Sequence, residues 1–408
     1  MSAPAVSSGA RNAGFIYIFI TVLLDMLAIG IIIPVLPGLI VNFLQGNTAR
    51  AAEIYGLFGT VWALMQFVFA PIQGSLSDRL GRRPVILVSN LGLGLDYILM
   101  ALAPNLIWLF IGRLISGITT GNISAAYAYI ADITEPEKRA KRFGMIGAAF
   151  GVGFIIGPAV GGILGGIDPR LPFWAAAAFC LTNAVYGFFI LPESLPPEKR
   201  MPFSWKRASP LGSLKLLRSH PELFGLASAN FLSNLAHVVL PSVTVLYMGY
   251  RYSWNETTIG LVLAAVGVLS MIVQGGLVGP IVAKLGERGA LLIALLFGAA
   301  GFALYGFAHV GWVFLAGMPL TAIWGIANPA AQGLMSRRVS ASEQGQLQGA
   351  NASVQGIANL IGPVIFTQSF AYSIDPAHGL HLPGVPFLIS SAALVLAAVI
   401  AWRATQVH

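Results

Sequence analysis

Three ionisable side chains lie inside long apolar runs, and their types define the chemistry that the sequence can support. Asp25 is in the middle of one run, Asp96 is in another, and Arg113 is the one basic residue within such a run. A charge at the centre of a bilayer costs at least about 2.5 kcal/mol, so each residue must face a cavity or a partner. Asp25 therefore has two open interpretations, a carrier that binds and releases a proton or a hydrogen-bonded structural acid.

Asp96 and Arg113 also allow two interpretations each. Asp96 can relay protons, or it can form a structural pair with a nearby cation. Arg113 does not lose its proton in a useful pH range, so it must pair with an acid or bind an anion. A static ion pair is one of the two open interpretations of Arg113.

The elements that must position these residues are membrane-spanning helices. Apolar residues make up 56% of the 408 residues and charged residues only 9%, whereas soluble domains contain about 25% charged residues. Apolar stretches of about 20 residues, the length that spans a bilayer, recur along the chain. We predict an all-α membrane protein with twelve transmembrane helices. The single cysteine, Cys180, excludes an intrachain disulfide, and the basic residues do not form a nucleic-acid surface.

The longest polar break, 192–220, divides the chain into two predicted six-helix bundles, 1–191 and 221–408. We interpret the break as a cytoplasmic linker. With the N-terminus inside, 19 of the 23 basic residues face the cytoplasm, three (Arg50, Arg170 and Arg251) face outside, and Arg113 is within a span. This split follows the positive-inside rule and predicts a multi-pass protein with both termini in the cytoplasm.

A charged segment, "GSLSDRLGRRP" at 74–84, interrupts the apolar pattern. We interpret 76–83 as a short cytoplasmic hairpin, with Gly74 and Gly81 permitting the turn. A fainter copy, "GPIVAKLGERG", follows at 279–289, and the same offset of 205 residues relates Gly157-Pro158 to Gly362-Pro363. This repeat predicts two related halves with a binding site between them near the midplane.

Polar residues on otherwise apolar spans are candidates for a substrate cavity. Each one can equally be a hydrogen-bonding contact between helices. As a group, with neighbouring aromatic rings, they suit an amphipathic aromatic compound. The candidates are Gln66, Asn122, Asn230, Asn234, His237, Gln274, Asn328 and Gln332, with Trp62, Tyr127 and Trp324.

These motifs resemble those of the major facilitator superfamily. The segment at 74–84 matches its signature loop, "RLISG" at 113–117 is similar to its second motif, and "GFIIGPAVGG" at 153–162 is similar to its antiporter signature. "LLDMLAIGIIIPVLP", "YIADIT" and "GQLQG" look like the tetracycline-resistance efflux pumps of the twelve-helix drug:proton antiporter group.

The resemblance implies proton-coupled efflux of a lipophilic drug, with Asp25, Asp96 and Arg113 in proton coupling. It implies a gate in which Asp78 bonds the start of span eleven and Asp132 pairs with a loop arginine. The gate residues are Gly74, Asp78, Arg79, Gly81, Arg82, Arg83 and Asp132. The implied antiporter motif, a tight and pliable contact between halves, is Gly153, Gly157, Pro158, Gly161 and Gly162.

The sequence departs from those pumps at two positions tied to coupling. The resemblance implies a His on span eight, where this chain has Ser270, and an Asp on span nine, where it has Gly298 or a neighbour of Gly298. Transport of a small metabolite and a non-transporting receptor or scaffold remain alternatives. We expect no enzyme activity, no cofactor and no metal site. The expected partners are a lipophilic small molecule, protons and the lipid bilayer of a bacterial inner membrane, with the protein a monomer.

Overall fold

The computed structural model is almost entirely helical, and none of the residues it describes lies in a β-strand. The structure describes residues 8–120, 122–203, 216–217, 221–340 and 343–406. The rest of the predicted linker, 204–215 and 218–220, lies outside the described residues. The all-α prediction is therefore confirmed. Helices satisfy the backbone hydrogen bonds of the apolar runs internally, as a bilayer requires.

In the described part of the chain, the helices before the linker are α1 (Ser8–Ile32), α2 (Leu36–Phe43), α3 (Thr48–Leu80), α4 (Arg82–Ala101), α5 (Leu106–Thr119), α6 (Asn122–Ile133), α7 (Pro136–Ile167) and α8 (Leu171–Ile190). Local signals set their ends. Asn105 precedes α5 in extended conformation, and its side chain accepts hydrogen bonds from the Ile107 and Trp108 amides. Pro136 occupies the first turn of α7, where a missing N–H group costs nothing.

The described helices after the linker are α9 (Pro221–Tyr252), α10 (Glu256–Ile272), α11 (Val278–Phe307), α12 (Gly311–Trp324), α13 (Ala327–Ser336), α14 (Gln344–Ile374) and α15 (Val385–Ala404). A π-helical turn, Val273–Leu277, joins α10 to α11. Turns of this type widen a helix locally and are frequent at functional sites.

Twelve membrane-spanning segments fit the structure. Eleven helical stretches in the described residues are long and apolar enough to cross a membrane. The longest, Glu256–Phe307, has 52 residues and contains a break at Gly286, where φ is 69° and ψ is 166°. Dividing it at Gly286 gives two spans, so the count agrees with the predicted twelve.

The charged segment at 74–84 is a helix junction rather than a hairpin loop. α3 continues to Leu80 and α4 begins at Arg82, so Gly81 alone separates them, with φ at 108°. The predicted turn role of Gly74 is wrong, because Gly74 lies within α3. Gly286, the repeat equivalent of Gly81, also has positive φ, so both copies of the segment break the helix at the same glycine.

The chain forms two compact units. The first contains residues 1–36, 64–209 and 256–264, and the second contains 37–63, 210–255 and 265–408. In the first unit, an apolar core of α1, α6 and α7 includes Tyr17, Met26 and Tyr129. In the second unit, the rings of Tyr305 and Phe314 stack with their centroids 4.2 Å apart.

Candidate functional site

The three ionisable residues predicted for proton coupling converge inside the first unit. Asp25 on α1 and Asp96 on α4 are 3% and 1% exposed. Tyr97, also on α4, lies within electrostatic range of Asp25, Asp96 and Arg113. Neither Asp96 carboxylate oxygen has a hydrogen-bond partner among the described residues. The first unit therefore places two buried acids and one arginine around Tyr97, and we name Asp25, Asp96 and Arg113 the acid cluster.

Glycine at position 112 creates the space for the acid cluster on α5. A Cβ atom there would lie 2.9 Å from Asp96 Oδ1 and 2.5 Å from the Met100 side chain. Arg113 directly follows Gly112, and its guanidinium donates to Ser116 Oγ, one turn further along α5, at 2.9 Å. The close approach of α4 and α5 thus brings the arginine near Asp96 without a larger side chain between them.

A second charged group surrounds Arg82 at the junction of α3 and α4. Its guanidinium donates to Asp78 Oδ1 at 2.6 Å, to Ser77 Oγ at 3.0 Å and to Asp132 Oδ2 at 3.1 Å. The Arg82 side chain is only 10% exposed, so these contacts form where charge attraction is poorly screened. The Arg82–Asp132 contact is of the kind that the sequence predicts, while the gate role of these residues remains a prediction.

The remaining gate candidates have different surroundings. Arg83 on α4 donates to the Phe188 carbonyl oxygen at 2.6 Å, and its guanidinium lies 5.8 Å from the centre of the Phe188 ring. Arg79 is exposed at the end of α3. Apart from its chain neighbours and the backbone of its own helix, no described heavy atom lies within 4 Å of where a Cβ atom on Gly74 would be.

Glu193 organises the same junction, and the sequence analysis missed it. Its carboxylate accepts hydrogen bonds from the backbone amides of Arg82 and Arg83 at 2.9 and 3.3 Å. It also accepts from the Ser194 and Leu195 amides, both at 3.0 Å. The carboxylate therefore caps the N-terminus of α4, where a negative charge is favoured. Its only sequence signal is one acid immediately after span six.

The antiporter motif on α7 packs mainly against α1. A Cβ atom on Gly157 would lie 2.8 Å from the Gly30 Cα atom, and one on Gly161 would overlap the Ile31 carbonyl oxygen. Gly162 faces α10 instead, and a Cβ atom on Gly162 would lie 2.9 Å from Gly260 Cα. Thus most motif glycines join two helices of the first predicted half, and Gly162 provides the contact with a helix of the second.

A cavity of about 470 Å³ lies within the second unit and gathers most of the predicted substrate residues. Asn230, Asn234 and His237 line it from α9, at helical spacing. The remaining lining residues come from the π-helical turn and from α11, α12, the turn after it and α13. They are Gln274, Val278, Trp324, Gly325, Ala327, Asn328 and Pro329, and Ser233 joins them from α9.

The chemistry of this cavity is polar, aromatic and, apart from His237, without ionisable groups in the described lining. Trp324 Nε1 donates to Ser233 Oγ at 3.1 Å, and the rings of Trp324 and His237 have centroids 5.7 Å apart. The Asn234 amide donates to the Asn230 backbone oxygen at 2.8 Å. Fixed amides beside aromatic faces suit a ligand with flat rings and a few hydrogen-bonding groups.

Several predicted substrate residues lie elsewhere. Gln66 is on α3 and does not line the cavity. The Asn122 side chain lies outside what the structure describes. Gln332 on α13 accepts a hydrogen bond from the Asn351 amide at 3.2 Å, which is a contact between helices.

The structure gives a reason for glycine at position 298, near which the resemblance implies an acid. A Cβ atom on Gly298 would lie 2.6 Å from Trp324 Cγ and 2.8 Å from the Leu394 side chain. The Trp324 ring occupies the space that an aspartate would need. Glycine at position 298 therefore leaves room for the Trp324 ring, which lines the cavity.

The family model described as Major Facilitator Superfamily matches residues 18–363. The chain belongs to the major facilitator superfamily. It is 40% identical over 369 residues to "Tetracycline resistance protein, class C" of Escherichia coli, covering 90% of this chain and 92% of that protein. It is 38% identical to "Tetracycline resistance protein, class G" of Vibrio anguillarum, covering 87% and 90%.

A solved structure of this superfamily also matches nearly the full chain. The crystal structure of the human organic anion transporter MFSD10 superposes with a TM-score of 0.70 at 25% identity, covering 98% of this chain and all of that one. The chain is thus a multi-pass membrane transporter of the superfamily, and the resemblance stated from its motifs is confirmed.

Proposed function

We propose that this protein expels a lipophilic drug from the cell in exchange for inward-moving protons. The similarity to tetracycline resistance proteins along nine-tenths of the chain supports drug efflux. The observation that carries the proposal is the acid cluster, because buried acids in a membrane bundle are costly and are typically retained for ion movement. Asp25 and Asp96 are both nearly fully buried in the first unit.

Protonation supplies the coupling in this proposal. A proton on Asp25 removes a buried negative charge and therefore changes the relative free energies of the inward-open and outward-open states. Asp96 and Arg113 set the charge balance around it. We place both termini and the Arg82 junction in the cytoplasm, as the distribution of basic residues favours. The cluster around Arg82 then stabilises the state in which its contacts are formed, and these contacts break in the other state.

The cavity of the second unit is the proposed drug site. Its amide and aromatic lining favours a lipophilic compound with fused or substituted rings, and tetracycline is the first candidate because of the relatives' names. Ser270 and Gly298 replace two ionisable residues of the pumps, so we expect coupling to depend on the acid cluster of the first unit. We further propose that the protein acts as a monomer without catalytic activity.

A drug-susceptibility panel in an efflux-deficient bacterial host tests the proposal. The wild type should raise the inhibitory concentration of at least one aromatic drug, and Asp25→Asn should remove that protection. Asp375→Asn, at an exposed acid outside the spans, is the matched control and should protect like the wild type. Expression of all three proteins is measured in the membrane fraction.

Protection against no compound would overturn the efflux proposal. Protection that Asp25→Asn leaves intact would overturn the coupling role of Asp25. Uptake of a metabolite in the same host would instead support the alternative of metabolite transport, and binding without movement of any solute would support a receptor or scaffold.

A further inference from the structure

Three polar residues form a line along one side of α1. Tyr17, Thr21 and Asp25 follow one another at four-residue spacing, so they lie on one face of the helix. Their exposed fractions are 0%, 1% and 3%. Eight helical residues correspond to about 12 Å along the axis, nearly half of a bilayer core. This line starts at the acid cluster and runs toward the N-terminal end of α1.

Hydrogen bonds join this line to α8, and Asn90 on α4 lies beside it. Thr21 Oγ1 donates to Asn183 Oδ1 at 3.1 Å, and the Tyr17 hydroxyl donates to the Asn183 backbone oxygen, also at 3.1 Å. The side chains of Thr21 and Asn90 also lie close enough to the Tyr17 hydroxyl to interact with it electrostatically. Asn90 and Asn183 are 0% and 1% exposed. We name Tyr17, Thr21, Asn90 and Asn183 the polar column.

Burying the polar column costs free energy, which indicates a function beyond packing. Buried hydroxyls and amides in an apolar bundle lose contact with water, and a net gain in stability from pairing them is small. Asn183 Nδ2 has no hydrogen-bond partner among the described residues, so the column leaves one buried hydrogen-bond donor unpaired there. Apolar residues of similar size would pack the same helices together without this cost.

Beyond Tyr17, the column reaches the charged end of the first unit. One turn before Tyr17, a Cβ atom on Gly14 would lie 2.5 Å from the Tyr129 hydroxyl. That hydroxyl donates to the Pro192 carbonyl oxygen at 3.1 Å, at the start of the linker. Pro192 adjoins Glu193, which caps the junction of α3 and α4. On the proposed orientation, this end faces the cytoplasm.

We propose that the polar column is the inner part of the proton pathway, through which Asp25 releases its proton to the cytoplasm. The inference rests on the proposed function. The proton leaves the Asp25 carboxyl oxygen, Thr21 and Tyr17 each accept a proton on oxygen and release their own, and water at the charged end takes the last one. Only O–H bonds form and break, and no electrons are transferred. Asn183 is a positioning residue that holds both hydroxyl groups.

Several ionisable groups face this pathway and set its charge balance. On α4 and α5 they are Asp96, Tyr97 and Arg113, which surround its inner start. On α8 they are Cys180 and Tyr186, whose ring centroid lies 5.6 Å from that of Tyr17. On α6 and α7 they are Tyr129 and Arg142, and the Arg142 guanidinium lies 3.8 Å from the centre of the Phe15 ring.

The test compares two transport modes in membrane vesicles. Uptake driven by a pH gradient requires proton release, whereas exchange of labelled for unlabelled drug at equal pH requires only that the loaded transporter alternates. The probe is tetracycline, or the best-protected compound of the susceptibility panel if tetracycline gives no protection. The variants are Thr21→Val and Asn183→Leu. Thr21→Ser keeps the hydroxyl, and Ser390→Ala removes a buried hydroxyl in the second unit that donates to the Ala236 carbonyl oxygen.

Thr21→Val should lower gradient-driven uptake about 100-fold or more, because a positioned proton-transferring group contributes about 10²–10⁴-fold. Asn183→Leu should lower it less, because Asn183 only positions the two hydroxyl groups. Exchange should stay within about twofold of the wild type, which also shows that the variants fold. Thr21→Ser and Ser390→Ala should retain both modes. Equal losses in the two modes, or no loss in either, would overturn the polar column as a proton pathway.

Failure of the proposed function would give a different transport result. In that case the wild type itself accumulates no compound of the panel under a pH gradient, and the inference falls with it. If the wild type accumulates drug while the column variants do so equally well, proton-coupled efflux stands and the column is only a contact between helices.

Discussion

At the scale of single residues, burial in an apolar bundle makes each ionisable group expensive. Asp25 and Asp96 are nearly fully buried, and Arg82 is paired with two carboxylates at the junction of α3 and α4. Arg82 joins α3 and α6 to its own helix, α4, through carboxylates at 2.6 and 3.1 Å. For Asp25 and Asp96 we propose proton exchange.

Glu193 gives a prediction at this scale. Glu193→Ala removes the carboxylate that caps α4, so it should lower the free energy of unfolding by about 0.5–2 kcal/mol. Thermal unfolding of the detergent-solubilised protein measures the change. Glu198→Ala, at an exposed acid in the same part of the linker, is the control and should leave the unfolding temperature unaltered. Equal effects of the two substitutions would show that the cap contributes nothing.

Sequence reasoning found the residues whose surroundings are unusual along the chain and missed those whose surroundings are unusual only in space. Asp25, Asp96 and Arg113 stand out because they are charged within apolar runs. Glu193 lies in a polar break where acids are common, and its role depends on the chain returning to Gly81. Asn183 received no role because its partners are on α1, far away in the sequence.

At the scale of helices, glycines decide how closely α1 and α7 approach. Gly30 on α1 and Gly157 on α7 face each other directly, with a Cβ atom on Gly157 lying 2.8 Å from Gly30 Cα. Small residues at such crossings allow packing and backbone contacts that larger side chains prevent. The sequence located this motif correctly on span five, but hydropathy does not tell which neighbour each glycine faces. Gly74 shows the same limit, because a glycine within a continuous helix looks like one in a turn.

A matched pair of substitutions on α7 tests the packing between helices. A Cβ atom on Gly161 would overlap the Ile31 carbonyl oxygen, whereas one on Gly147 would have no described heavy atom within 4 Å apart from its chain neighbours and the backbone of its own helix. Gly161→Ala should therefore destabilise the protein by about 1–3 kcal/mol through overpacking. Gly147→Ala should be neutral or stabilising, because alanine favours a helix. Unfolding temperatures and membrane expression levels measure both, and a neutral Gly161→Ala would contradict the packing described here.

At the scale of the whole molecule, the two halves of the repeat have diverged in chemistry. The first unit holds the acid cluster and the polar column, and the second holds a cavity whose described lining is amide and aromatic. The repeat keeps the helix breaks at Gly81 and Gly286 but not the acid Asp78, whose counterpart is Ala283. Residues 37–63 and 256–264 each belong to the unit built mainly from the other predicted half. Span prediction does not reveal such an exchange, because it identifies helices and not their neighbours.

Proton movement coupled to drug movement is the most direct test of the central claim. The purified protein is reconstituted in vesicles with an acidic interior and a pH-sensitive dye, and the drug chosen by the susceptibility panel is added outside. The drug should accelerate the rise of internal pH for the wild type and for Asp375→Asn, and Asp25→Asn should abolish that acceleration. Proton-coupled efflux through the acid cluster would be contradicted if the drug did not change the rate of internal pH rise in the wild type. It would also be contradicted if the drug changed that rate equally in Asp25→Asn.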